Sequence, residues 1–251
     1  MALTEAYLNG PNGRIAYKRR EASAPNAGPG LVWFGGFKSD MTGSKAQMVD
    51  EFAKHLGCAC LRFDYTGHGT SDGVFEDGCV GEWAADALAA FDALTSGKQT
   101  LIGSSMGGWI AALTALARPQ AVASSIFIAP APDFTETLFF ERLSPDLQER
   151  LMREGKLEQP SDFGDPYIYT KKLVEDGRQH LIMDGPININ APIRILQGMK
   201  DDAVPWRHAL AFSEQLASQD VELTLVKDGD HRLSREQDLA RLATVINEVR
   251  R

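Results

Sequence analysis

QTLIGSSMGGWIAALTALA, residues 99–117, is the stretch from which the fold is read. It holds no charged residue and approaches the length of a membrane span, yet two features exclude a transmembrane helix. It opens on a short strand-like run, and it is interrupted by GSSMGG. Glycines clustered in that way belong to tight turns, so the stretch divides into a strand (99–103), a sharp turn and a helix (107–117). Within it, Gly103-Ser104-Ser105-Met106-Gly107 matches G-x-S-x-G. The pattern alone is weak, and the strand–turn–helix setting gives it weight. Such a turn holds Ser105 in a strained conformation, its hydroxyl above the carboxyl end of the strand, while Ser104 points elsewhere.

The same rhythm extends outward in both directions. Short apolar strands are expected at 30–35 (GLVWFG), 58–63 (CACLRF), 123–129 (ASSIFIA), 193–197 (IRILQ) and 221–226 (VELTLV). Helical spacing occupies 44–56, 80–96, 206–218 and 235–249. This alternation builds βαβ units, hence a mostly parallel sheet with helices on both faces. Residues 2–8 and 14–19 flank the turn Asn9-Gly10-Pro11-Asn12-Gly13 and read as an antiparallel hairpin, which brings the expected sheet to eight strands. A single α/β domain over 1–251 is expected. One segment breaks the rhythm. Residues 133–190, with FTETLFFERL, SPDLQERLMREGKL and PYIYTKKL, exceed the single helix that would join two strands. They are expected to form a helical lid over an active site.

Composition narrows the function classes. The chain has 251 residues, 43% hydrophobic and 24% charged, which is ordinary for a globular protein. Its 26 basic and 34 acidic residues give a net charge of −8, the wrong sign for nucleic acid or an anionic membrane surface. Three cysteines argue against a disulfide framework; Cys58 and Cys60 read as small buried hydrophobes on one strand face. The N-terminal MALTEAYLNGPNGRIAY has no apolar segment of the signal-peptide kind, so a cytoplasmic protein without a membrane span is expected.

A serine hydroxyl is a weak nucleophile and needs a base oriented by a third group. Of His55, His68, His180, His208 and His231, only His231 follows the last predicted strand, where a loop reaches back across the sheet's carboxyl edge. Asp201, directly after strand 193–197, is the expected acid, since a carboxylate there accepts the imidazole N–H and fixes its tautomer. Asp133, at the end of strand 123–129, is the alternative; Asp202 reads as a solvated neighbour, and Asp230 is badly placed to orient His231. Two backbone donors are expected to form an oxyanion hole: Met106 N–H, and Phe37 N–H from the loop after strand 30–35. His68, in DYTGHGTS (64–71), is expected to line the site from a tight turn. Neither a cofactor nor a metal is implied.

With these pieces assembled, the sequence resembles the α/β-hydrolase superfamily over nearly its whole length. WFGGFKSDMTGSKA (33–46), GSSMG (103–107), QGMKDDAVPW (197–206) and DHR (230–232) resemble the α/β-hydrolase-domain-ten group. That group comprises the mitochondrial palmitoyl-protein thioesterase and acyl-glucuronide esterase with its bacterial relatives. The resemblance implies an α/β-hydrolase fold and carries nucleophile, acid and base onto Ser105, Asp201 and His231. It implies a serine hydrolase of carboxylic esters or thioesters working through an acyl-enzyme. Two departures are a missing mitochondrial presequence and an insertion without a matching motif.

Trp109, Phe134, Phe139 and Phe140, with Met106, Leu138 and Leu143, are expected to wall an apolar acyl pocket, with no cationic clamp for a phosphate or charged acyl group. The partner implied is a small-molecule or S-acylated substrate. A non-catalytic receptor on the same fold is the competing class, and a perhydrolase or acyltransferase would share the triad. Dehalogenase and epoxide-hydrolase chemistry would want an aspartate at position 105.

Overall fold

The computed structural model describes residues 3–24, 27–159 and 166–250. The chain begins with β1 (Leu3–Asn9), β2 (Arg14–Arg20), β3 (Gly30–Phe34), α1 (Ser44–Leu56), β4 (Cys60–Phe63) and α2 (Val80–Leu94). It continues through β5 (Gln99–Ser104), α3 (Met106–Ala117) and β6 (Val122–Ile128). An insertion follows with α4 (Pro145–Glu154), β7 (Lys156–Gln159), β8 (Tyr167–Thr170) and α5 (Lys171–Gly177). The chain then resumes with β9 (Ile193–Gly198), α6 (Trp206–Gln215), β10 (Val221–Val226) and α7 (Glu236–Glu248).

Eight strands form one sheet in the order β1-β2-β4-β3-β5-β6-β9-β10. The pairs β1–β2 and β2–β4 are antiparallel; the remaining neighbours run parallel. Every residue of β3, β4 and β5 is buried, which is why these strands are apolar runs rather than alternating ones. One face packs Trp83, Phe91, Ile110 and Phe212 from α2, α3 and α6. The other packs Val49, Ala53, Leu242 and Ile246 from α1 and α7 against Cys58 and Cys60. Each large side chain so buried contributes about 1.5–3 kcal/mol. Helix α3 buries nine of its twelve residues, so the uncharged run 99–117 is a core strand joined to a core helix. Among the described residues no helix is long and apolar enough to cross a membrane.

The insertion differs from the helical lid expected of it. Phe134 leads into a π-turn (Thr135–Phe139) and a 3₁₀ turn (Phe140–Arg142), then α4. Beyond α4, β7 and β8 pair as an antiparallel hairpin, from Lys156 opposite Thr170 to Gln159 opposite Tyr167. The segment YIYT is rich in aromatic and β-branched residues that favour a pleated, half-buried surface over helix. Residues 160–165 of the insertion, and residue 2 of the expected first strand, lie outside the described residues.

Candidate active site

Four of the six parallel strands, β3, β5, β9 and β10, each deliver one loop of the site to the carboxyl edge of the sheet. At the end of β5 the chain turns sharply into α3 through Ser105, at φ 57° and ψ −125°. Glycine is required on both sides of that turn by close approach. A Cβ on Gly103 would sit 2.3 Å from the Gly107 carbonyl oxygen, and one on Gly107 would sit 2.2 Å from that of Phe34. The strained serine is held by backbone bonds, its N–H donating to Ile128 at 2.9 Å and its carbonyl accepting from Gly108 at 2.8 Å.

β9 and β10 are neighbours, so the loops after them are tied together. Met199 N–H donates to Val226, and Lys200 N–H to Gly229. This brings Asp201 and His231 into contact across 30 residues of sequence, His231 Nδ1 lying 2.8 Å from Asp201 Oδ2. On the far side of the ring, His231 Nε2 lies 3.0 Å from Ser105 Oγ. A carboxylate only accepts, so Nδ1 carries the proton and Nε2 is left to accept from the serine hydroxyl. Asp201 is buried, and its second oxygen accepts from Ala203 N–H at 3.0 Å and Val204 N–H at 2.7 Å. Gln197 Nε2 also donates to Asp201 Oδ2, at 3.0 Å. Gln197 went unnoticed in the sequence, where a lone glutamine ending a strand carries no signal.

Phe37 and Met106 flank Ser105, and among the described residues neither backbone N–H has an acceptor. The Phe37 ring stacks on Tyr169 with centroids 5.5 Å apart, and Tyr169 stacks in turn on Phe139 at 3.8 Å. The insertion therefore presses on the loop that carries Phe37. Burial pushes the Tyr169 phenol up to about 12, so it stays protonated across the working range.

Two cavities open on Ser105 and His231. One, of about 320 Å³, is walled by Met106, Phe134, Leu138, Phe139, Tyr169 and Val204. The other, of about 520 Å³, lies between the loop after β3, the start of α1 and the loop after His231; Lys38, Lys45 and Arg232 line it. These three cations lie in the neighbouring cleft; in the apolar cavity itself the lining holds Arg142 together with Asp202. Lys45 and Arg232 are far apart in sequence and meet only because α1 packs beside the His231 loop.

Other expectations are also corrected. Trp109 is fully buried beneath the apolar cavity; its indole N–H donates to the His180 carbonyl at 3.1 Å, and its ring meets Phe134 edge-on. It supports the wall without lining it. Phe140 turns away into a cluster with Leu147 and Leu151, under the Arg178 guanidinium at 4.6 Å, because the chain changes from π to 3₁₀ winding at that residue. Leu143 packs in the same cluster. His68 lies buried behind the site, its Nε2 accepting Lys38 N–H at 3.3 Å, and burial lowers its pKa to about 4. Asp133, at φ 56°, has its carboxylate taken by the N–H groups of Ile182 and Met183, each 2.9 Å away; it joins the two ends of the insertion. His208 Nε2 lies 2.8 Å from the Pro132 carbonyl.

An eight-stranded, mostly parallel sheet carrying a serine elbow after its central strand defines a fold class, and comparison with known proteins agrees. Residues 28–245 match the alpha/beta hydrolase family, and the chain belongs to it. Among curated proteins, it is 36% identical to human palmitoyl-protein thioesterase ABHD10, mitochondrial, over 97% of this chain and 79% of that protein. Among solved structures, mouse alpha/beta hydrolase domain-containing protein 10 superposes with a TM-score of 0.90 at 34% identity, covering 98% of each chain. A protein of Agrobacterium vitis S4, provisionally termed a hydrolase, superposes at 0.96 with 40% identity over the whole of both chains. The ABHD10 relatives are mitochondrial by name, which does not match the cytoplasmic expectation.

Proposed function

We propose that this chain is a serine hydrolase of carboxylic esters or thioesters with an apolar acyl group, working through an acyl-enzyme. The observation that carries the proposal is the imidazole of His231, bonded to Ser105 Oγ at 3.0 Å on one nitrogen and Asp201 at 2.8 Å on the other. Ser105 Oγ attacks the acyl carbon as its proton passes to His231 Nε2, and the carbonyl oxygen takes negative charge between the N–H groups of Phe37 and Met106. The bond to sulfur or oxygen of the leaving group then breaks, and His231 returns the proton to it. Water, deprotonated by the same nitrogen, attacks the acyl-enzyme and frees the acid and the serine. Asp201 keeps its bond to the Nδ1–H throughout and stabilises the imidazolium.

The acyl group is assigned to the 320 Å³ cavity, where Phe134, Leu138, Phe139 and Tyr169 supply an apolar wall and Arg142, Gln159 and Asp202 supply polar positions. The insertion acts as its cover. S-Acyl substrates are favoured over plain esters by the name of the ABHD10 relatives. The test is labelling by a fluorophosphonate probe together with hydrolysis of octanoyl thioesters. Both should be present in the native chain and lost in Ser105→Ala. Labelling that survives in Ser105→Ala would place the nucleophile elsewhere, and a folded protein that neither labels nor hydrolyses would make this a non-catalytic member of the fold.

A further inference from the structure

The loop after β3 brings Phe37 to the nucleophile, and the turn 64–71 holds that loop at three points. Tyr65 donates its hydroxyl to the Gly35 carbonyl at 3.2 Å, His68 Nε2 accepts Lys38 N–H at 3.3 Å, and Asp64 Oδ1 accepts Met41 N–H at 2.6 Å. Within the loop, Ser39 N–H donates to the Gly36 carbonyl at 3.1 Å, closing a four-residue turn with Phe37 and Lys38 at its centre. Lys38 stands at φ 56°, a left-handed value that lysine rarely adopts, whereas Phe37 has no such angle. Among the common turns type II has that pattern, and glycine ordinarily fills the position that Lys38 holds.

A lysine would settle more readily into a type I turn, reached by flipping the peptide between Phe37 and Lys38. The flip reverses Lys38 N–H, so the group that accepts from it selects between the two turns. That group is His68, and its state is fixed. Nδ1 lies 3.3 Å from the Thr66 carbonyl, which only accepts, and Nε2 faces an N–H, which only donates; the ring proton therefore sits on Nδ1. Phe75, Trp83 and Tyr65 cage the ring edge-on, with centroids 5.0, 5.1 and 5.4 Å away. Burial lowers its pKa to about 4, which keeps the Nε2 lone pair free to accept. The turn in its own right abuts the nucleophile: a Cβ on Gly36 would sit 3.2 Å from the Ser104 carbonyl oxygen and 3.4 Å from Ser105 Cβ.

We infer that His68 is a positioning residue for the reaction: by accepting Lys38 N–H it locks the turn Gly36–Ser39 in the form that presents Phe37 N–H to the developing oxyanion. The inference rests on the acyl-enzyme reading above, in which that N–H is one of two oxyanion donors. His68 touches no reacting atom, and it acts through a strained backbone that stays put only because its surroundings hold it. Its effect therefore falls on the transition state, where the oxyanion forms, rather than on binding of the acyl group.

The test compares His68→Phe, which fills the aromatic cage without an acceptor, with His68→Gln, whose amide oxygen supplies one. On an octanoyl thioester, His68→Phe should lower kcat by about 10- to 100-fold, somewhat less than outright loss of an oxyanion donor, with KM little changed. His68→Gln should return to within about fivefold of the native chain. The decisive arm repeats His68→Phe in a Lys38→Gly background. Glycine adopts the left-handed angle without strain, so the turn no longer needs its lock, and His68→Phe should then cost at most about threefold. A His68 that only packs the core would cost as much in both backgrounds and gain nothing from glutamine, and either result overturns the inference. If His68→Phe does not fold, His68→Leu takes its place. A further readout is independent of turnover. By NMR, the Lys38 amide of the native chain should exchange with solvent at least about 100-fold more slowly than in an unstructured peptide, and lose that protection in the His68 variant without an acceptor. Equally fast exchange in the two proteins refutes the lock. Failure of the native chain to hydrolyse would count against the acyl-enzyme reading instead, and amide exchange then decides the lock by itself.

Discussion

Asp201→Asn tests the orientation of the imidazole most sharply, because the structure dictates how the new amide must lie. Asp201 Oδ1 receives two backbone N–H groups, from Ala203 at 3.0 Å and Val204 at 2.7 Å. An NH₂ in that position would face two donors, so the asparagine carbonyl must take it. The NH₂ is therefore driven into the position of Oδ2, 2.8 Å from His231 Nδ1. Nδ1 must then accept, the ring proton moves to Nε2, and Nε2 can no longer take the proton of Ser105. Gln197 cannot easily rescue the site, since its Nε2 is also held by the carbonyls of Gly198 and Val204. The expected loss in kcat is about 10⁴-fold, or roughly 5.4 kcal/mol at 1.36 kcal/mol per decade. The assay is the pre-steady-state burst with a p-nitrophenyl ester, which reads acylation separately from turnover, alongside a thermal melt to establish folding. A loss below tenfold in a folded Asp201→Asn protein would refute the reasoning. So would a larger loss in Asp133→Asn, whose carboxylate serves the backbone of the insertion.

Ser105→Ala and His231→Ala should each lower kcat by roughly 10⁴–10⁶-fold, with the double variant hardly worse than either, because the groups act as a unit; kinetics on melted-and-checked protein decide this. Across acetyl, butyryl, octanoyl and palmitoyl esters of one leaving group, kcat/KM should rise over the first members, at up to about 0.8 kcal/mol per buried CH₂. Phe139→Ala should flatten that rise while Phe140→Ala leaves it intact, and a steady fall from acetyl upward would dismiss the apolar acyl cavity. Lys45→Met should be more heat-stable than the native chain at pH 7. The folded pKa of about 8 lies below the free value of 10.5, so the unfolded chain binds the extra proton between these pH values. Native stability therefore rises as pH increases through that window, and the burden on the native chain below it is at most roughly 3 kcal/mol. Melts at pH 7 and pH 10 should show the advantage of Lys45→Met shrinking at the higher pH.

Local sequence carried the scaffold. The boundaries expected for β3, β5, β9, β10 and α1 fall within a residue of those observed, since a parallel sheet covered on both faces needs unbroken apolar strands separated by amphipathic helices. The serine elbow was legible for the same local reason, as backbone approach at Gly103 and Gly107 leaves no room for a side chain. Asp201 and His231 were legible by position, each being the first fitting side chain after a strand that ends at the same edge. Three things were decided only in three dimensions. Phe139 lines a cavity while adjacent Phe140 does not, because a π-turn replaces the regular helix that periodicity assumes. The pleated hairpin of the insertion forms by pairing Lys156–Gln159 with Tyr167–Thr170, a contact made across a gap in sequence. The meeting of Lys38, Lys45 and Arg232 beside Ser105 depends on how α1 packs against the loop after β10, since the charge of a site is a sum over segments that only tertiary packing brings within a few ångströms.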